Sequence, residues 1–118
     1  MNILVADDDR NFGFVLKSEL EAEKHTIDLV PNGVEAVLNF VSKPYDFVLL
    51  DVKMPRLDGT DALKIMKRIN PDVPVISFSG NAGPNEISRT LECGALQCLK
   101  KPFEVTYLKD LINSYFLK

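Results

Sequence analysis

No stretch of this chain approaches the roughly 18 consecutive apolar residues that a membrane-spanning helix needs, so no membrane span is expected. Positive charge is also scarce. Lys and Arg number 14 against 17 Asp and Glu, a net charge of −3. Direct nucleic-acid contact is therefore not expected, because a phosphate backbone demands a basic face. The two cysteines, Cys93 and Cys98, lie too close in sequence to staple much and form no CxxC pair. They read as reduced thiols of a cytoplasmic protein. Low-complexity linkers and internal repeats are missing, and 118 residues make one domain, 1–118, with a core of its own. Met1-Asn2-Ile3-Leu4-Val5 goes straight into a strand, with neither a basic leader nor a small-residue cleavage site, which again fits an expected cytoplasmic location.

What the chain does have is alternation. The first apolar run, residues 2 to 7, is apolar on both faces, as an interior parallel strand is. Phe12, Val15, Leu16 and Leu20 then recur at one-face helical spacing. Thr26 to Val30 reads as a second strand, less uniformly apolar and so nearer an edge. Asn32 is placed to cap a helix whose expected core face is Val34, Val37, Leu38 and Val41, with Pro44 ending it. A third strand runs into Asp51, and a loop with Pro55 leads to a helix carrying Ala62, Ile65, Met66 and Ile69, closed by Asn70-Pro71. The fourth strand follows Pro74. Pro84 suits the first turn of a fourth helix with Ile87 and Leu91 as anchors and Gly94 at its C′ position. With so few anchors it is expected to be the most loosely held. The last helix, from about Glu104, offers Leu108, Leu111, Ile112 and Tyr115. This (βα)₅ pattern implies an α/β, doubly wound fold: a five-stranded parallel sheet with right-handed crossovers and helices on both faces, two on one and three on the other. Spacing leaves the strand order open.

Four of the five strands stop on residues suited to phosphate chemistry. Ile3 to Ala6 runs into Asp7-Asp8-Asp9, and Phe47 to Leu50 into Asp51. Val75 to Phe78 runs into Ser79, and Leu96 to Leu99 into Lys100-Lys101-Pro102. In a parallel sheet these ends share one edge, where α/β proteins place their sites. Carboxylates, a hydroxyl and an ammonium group converging there would make a Mg²⁺-dependent phosphoryl-acceptor pocket. Taken singly, each piece also has a structural reading. An Asp triplet after a strand caps and turns into a helix, Lys-Pro marks a loop boundary, and Ser79-Gly80 and Asp58-Gly59 read as turns.

Together the pieces resemble a known family. Asp51-Val52-Lys53-Met54-Pro55-Arg56-Leu57-Asp58-Gly59 is similar to the D-x-x-M-P-x-x-D-G phosphoacceptor pattern of response-regulator receiver domains. Asp7-Asp8, Ser79-Gly80 and Lys101-Pro102-Phe103 match the rest in order. Gly33-Val34-Glu35-Ala36 and Gly94-Ala95 sit where that family has similar pieces. The resemblance covers essentially the whole chain. It implies the CheY-like strand order 2-1-3-4-5. It also implies Asp51 as the phosphoryl acceptor, with Ser79 and Lys101 as partners of the phosphoryl group. Mg²⁺ is implied as cofactor, held by Asp8, Asp51 and the backbone carbonyl of Lys53, with Asp7 acting through water. The Lys101-Pro102 bond is expected to be cis.

The implied role is that of a switch rather than an enzyme. A sensor histidine kinase or phosphotransfer protein would supply the phosphoryl group, and an effector protein or fused output domain would read the result. His25, the single histidine, lies away from this edge and reads as a surface residue, not a phosphodonor. One departure stands out. Three residues before the strand-five lysine, where receiver domains usually carry Tyr or Phe, this chain has Cys98. A small hydrophobe has no ring to swing, so the read-out is expected from the loop after Ser79 and the fourth helix. Lys53 and Asn81 are expected to flank the path of the phosphoryl group and to set its lifetime. A pseudo-receiver used only for docking is the alternative reading. A small Mg²⁺-dependent phosphatase ranks behind both, since no cap segment for binding a substrate is visible.

Overall fold

A computed structural model describes residues 1–54, 56–80 and 83–116. Pro55 and Asn81, both singled out above, lie outside the described residues. Within these, β1 (Asn2–Ala6), α1 (Arg10–Ala22), β2 (Thr26–Val30), α2 (Gly33–Ser42), β3 (Phe47–Asp51), α3 (Gly59–Ile69), β4 (Val75–Ser79), α4 (Pro84–Glu92), β5 (Gln97–Lys100) and α5 (Val105–Phe116) follow one another in strict alternation. The strands form one parallel sheet in the order β2-β1-β3-β4-β5. The less apolar second strand does take an edge.

Strand periodicity sends alternate side chains to opposite faces. Ile3, Val5, Phe47, Leu49, Ile76 and Phe78 pack with Leu16 and Leu20 of α1 and Leu108 and Ile112 of α5. Leu4, Ala6, Val48, Leu50 and Val75 pack on the other face with Ala36 and Phe40 of α2 and Ala62, Leu63 and Met66 of α3. Full burial of each large side chain contributes roughly 1.5–3 kcal/mol. The central strands β3 and β4 are buried along their whole length.

Helix ends follow local rules closely. Asp9 caps α1 through the amides of Asn11 and Phe12, and Asn32 caps α2 through the Glu35 amide at 2.9 Å. Pro84 takes the first position of α4, and Gly94 follows the C-cap Cys93 with φ +109°, a left-handed conformation that favours glycine.

Helix rotation departs from expectation in several places. On α1 the buried residues are Gly13, Leu16 and Leu20, while Val15 is 53% exposed. Gly13 lies under Leu29, and a side chain there would meet the leucine methyls. On α2 the core takes Gly33, Ala36 and Phe40, leaving Leu38 and Val41 exposed. Phe40 turns inward to stack on Tyr45 with ring centroids 6.5 Å apart. On α3 the core takes Leu63 with Ala62 and Met66, and both Ile65 and Ile69 face outward. Leu91 of α4 is also exposed, and the residue α4 buries is Thr90.

Candidate functional site

Register decides which side chains meet. Ala6 pairs with Leu50 across β1 and β3, so Asp7 and Asp51 are the next residues at the same edge. Both share strand parity with the residues that face α1 and α5. Asp7 and Asp51 are 3% and 5% exposed. The Asp triplet divides its labour. The Asp7 carboxylate accepts the Asp9 amide at 2.9 Å, Asp9 turns outward to cap α1, and Asp8 stays exposed beside the site. One carboxylate oxygen each from Asp7, Asp8 and Asp51 lies within 4.8 Å of the others.

Lys101 reaches this cluster from the far side of the sheet. Its backbone amide donates to the Ser79 carbonyl at 2.8 Å, which ties the end of β5 to the end of β4, and the Lys101–Pro102 peptide is cis. The ammonium group donates to Asp7 Oδ2 at 2.9 Å and to Asp51 Oδ2 at 3.1 Å. Two phenylalanine rings flank it, and a third backs them. Nζ lies 4.4 Å from the Phe12 ring centroid and 5.1 Å from that of Phe78, and Phe103 packs edge-on against Phe12. Such rings attract the cation through their faces and keep water away, which strengthens the ion pair.

The β3–α3 loop is held just as tightly. The Lys53 amide donates to Asp51 Oδ1 at 3.1 Å, and the Gly59 amide to the Val52 carbonyl at 2.8 Å. A Cβ on Gly59 would sit 2.0 Å from the Asp51 carbonyl oxygen. Gly33 likewise lies under the Leu57 carbonyl, where a Cβ would be 2.1 Å away. Both glycines are required by close backbone approach. Asp58, read as a turn, caps α3 through the Thr60 amide at 2.8 Å.

The electrostatics follow from crowding. Burial pushes the Asp51 carboxyl up to about 6; Lys101 pulls against this and the Asp7 charge adds to it. For Lys101, burial works against the charge, but the bonds and charges of Asp7 and Asp51 outweigh it and hold its pKa above the ordinary lysine value. The arrangement offers hard oxygen donors, a fixed cation and a carboxylate oriented at both oxygens.

Asp7, Asp8, Asp51 and Lys101 are thus brought together. Ser79 ends β4 at the same edge, fully buried, and its hydroxyl donates to Glu86 Oε1 at 2.8 Å. Lys53 meets the site through its amide. His25 lies apart, beside the N-terminal amine at 3.4 Å. Sequence reasoning passed over Glu86 and the phenylalanine rings beside Lys101. Glu86 carries a weak signal, as an acid in the first turn of a helix opened by proline; Phe12 and Phe78 read simply as core, and Phe103 only as part of the Lys101-Pro102-Phe103 match.

The model of the response regulator receiver domain matches residues 3–113. The chain belongs to the response-regulator receiver family. It is 32% identical over 113 residues to the sensor protein EvgS of Escherichia coli, covering 96% of this chain and 9% of that protein. Among solved structures, the Francisella response regulator 1452 receiver domain superposes with a TM-score of 0.89 at 31% identity, covering 95% of this chain and 93% of that one. CheY in the CheX–CheY–BeF3–Mg²⁺ complex of Borrelia burgdorferi gives 0.93 at 26% identity, covering 100% of this chain and 90% of that one. The chain spans 9% of the length of EvgS and 48% of that of the transcriptional regulatory protein RprY of Bacteroides fragilis, to which it is 29% identical over 114 residues. Among the described residues no helix is long and apolar enough to cross a membrane.

Proposed function

We propose that this receiver domain takes a phosphoryl group onto Asp51 and thereby switches a partner-binding surface in a two-component pathway or phosphorelay. The observation that carries the reading is the Lys101 ammonium set between Asp7 and Asp51, at 2.9 and 3.1 Å, beside the cluster that Asp8 completes. The donor is the phosphohistidine of a sensor histidine kinase or phosphotransfer protein. An Asp51 carboxylate oxygen attacks phosphorus and the P–N bond breaks. The imidazole nitrogen keeps the electron pair and takes a proton from solvent water, and an acyl phosphate remains on Asp51.

This chain's residues prepare that step. The Lys53 amide holds one Asp51 oxygen and Lys101 the other, which orients the nucleophile. Lys101 then follows the negative charge onto the phosphoryl group as a compact point charge. The Ser79 hydroxyl donates to a further phosphoryl oxygen. Asp7, Asp8 and Asp51 are an all-oxygen donor set that fits Mg²⁺, with the Lys53 carbonyl as a further ligand. When bound, the ion neutralises phosphoryl oxygens as a Lewis acid. The beryllofluoride and Mg²⁺ in the Borrelia complex support the same reading here.

An effector protein or a fused output domain reads the switch, and the expected cytoplasmic location belongs to the same proposal. The test is incubation with acetyl phosphate and Mg²⁺ followed by intact-mass measurement. The native chain is expected to gain one phosphoryl group and Asp51→Asn none. Undiminished labelling of that variant refutes Asp51 as acceptor. A native chain that gains nothing favours the docking module instead.

A further inference from the structure

Ser79 carries one hydroxyl proton, and in this structure it goes to Glu86 Oε1 at 2.8 Å. The strand explains the direction. Ser79 shares parity with Val75, which faces the α2–α3 side of the sheet, and α4 begins on that side. Glu86 is the third residue of α4, whose N-cap Gly83 has no side chain to offer. Asp51 pairs with Phe78 across β3 and β4, so Ser79 is also the β4 residue immediately beyond the acceptor strand's last pairing. It stands between two anionic acceptors, the Glu86 carboxylate and any phosphoryl group on Asp51, and can donate to one at a time.

We infer that Glu86 is a positioning residue, a latch that competes with the phosphoryl group for the Ser79 proton and holds the first turn of α4 in its resting place. The inference rests on the reading of Asp51 as acceptor and adds what that reading does not contain: the group Ser79 must leave. Two features make the release feasible. No apolar side chain of α4 is fully buried: Pro84 is exposed, Ile87 is half-buried and Leu91 is 44% exposed, so a shift of its first turn uncovers little apolar surface. Glu86 also borders an open cleft of about 270 Å³ whose other charged lining is Lys53, Arg89 and Asp58, so the freed carboxylate has two cationic neighbours against one anionic. Phosphorylation would thus be felt at α4 through a bond broken at Ser79, with no ring at position 98 needed.

The test uses the full chain and two measurements. Beryllofluoride affinity in Mg²⁺ is titrated for the native protein, Glu86→Ala, Ser79→Ala and the double variant. Glu86→Ala is expected to bind about tenfold more tightly, the size of a charge-assisted hydrogen bond no longer forfeited. In the Ser79→Ala background the same change is expected to do little, since the coupling runs through that hydroxyl. Glu86→Asp is expected to fall between native and Glu86→Ala. Unchanged or weaker binding by Glu86→Ala overturns the latch, and so does an equal gain without Ser79, which would make Glu86 a mere repelling charge. The second measurement needs no phosphate mimic. In metal-free protein, Ser79→Ala and Glu86→Ala are each expected to speed amide exchange over residues 86–90 by a similar factor, roughly tenfold. Unaltered exchange in Ser79→Ala overturns the latch whatever the pocket binds. If the native chain binds no beryllofluoride while both variants do loosen α4, the receiver reading fails and the competition fails with it.

Discussion

Lys101 sits closer to Asp7, at 2.9 Å, than to the expected acceptor Asp51, at 3.1 Å. The lysine is thus shared between the two buried carboxylates of the pocket, and its charge balances part of theirs. Lys101→Ala is expected to leave acetyl-phosphate labelling to proceed to a similar extent in excess Mg²⁺, because the ion still neutralises the phosphate. The same variant is expected to lose most of the beryllofluoride-induced amide shifts in α4. Complete loss of labelling with an intact circular-dichroism spectrum would show that the lysine serves the chemistry itself.

The acid pocket costs stability when no metal is present. In the folded chain Asp51 titrates at about 6 against an ordinary 3.8. Over that window the folded state holds more protons than the unfolded one, so this group's contribution falls as pH rises through it. Asp51→Asn removes the effect. Urea unfolding in EDTA is expected to show the variant more stable than the native chain at pH 7, with the advantage shrinking as pH falls toward 3.8. An advantage that stays constant with pH would refute the account.

Magnesium should reverse that cost. Binding to the folded state alone stabilises by about 2.7 kcal/mol at a hundredfold excess over Kd, a rise in thermal midpoint on the order of 10 °C for a domain of this size. Asp8→Ala is expected to abolish most of the rise while leaving the metal-free midpoint little changed, since Asp8 is exposed. Thermal scans with and without Mg²⁺ check both.

Gly59 and Gly80 make a matched pair. A Cβ on Gly59 would lie 2.0 Å from backbone, whereas one on Gly80 meets nothing within 4 Å among the described residues. Gly59→Ala is expected to cost at least about 1–3 kcal/mol and to weaken Mg²⁺ binding by displacing the Asp51 loop. Gly80→Ala should stay within about 0.5 kcal/mol of the native chain. Urea midpoints and Mg²⁺ titrations decide it, and equal costs would show the close approach to be yielding.

Cys98, half-buried on β5 and paired across the sheet with Ser77, tests where the read-out lies. Beryllofluoride is expected to shift the amides of α4 while those around Cys98 stay nearly still. Cys98→Tyr should label at a similar rate yet change partner affinity. Large shifts confined to β5 would place the switch there instead.

Several of these positions were legible without any structure, and the reason is locality. Asn32 and Pro84 announce helix starts because capping is a matter of three or four residues. Asp7, Asp51, Ser79 and Lys101 could be assigned to one edge because parallel strands joined by helices all end at the same side. The strand order came from family resemblance, and the sheet bears it out.

Helix rotation was another matter. Along α2, residues 34, 36, 37, 38, 40 and 41 are all apolar, so periodicity has no preferred face. Tertiary packing chose Ala36 and Phe40, because the small alanine lets the helix approach the sheet and Phe40 finds Tyr45. On α3, Gly59 pressed against the Asp51 carbonyl sets the rotation that turns Leu63 and Met66 inward and Ile65 outward. The same holds for the bond between Ser79 and Glu86 and for the rings around Lys101. Each depends on where a helix docks on the sheet, and docking is decided by the sum of packing over both faces, which no local stretch of the chain contains.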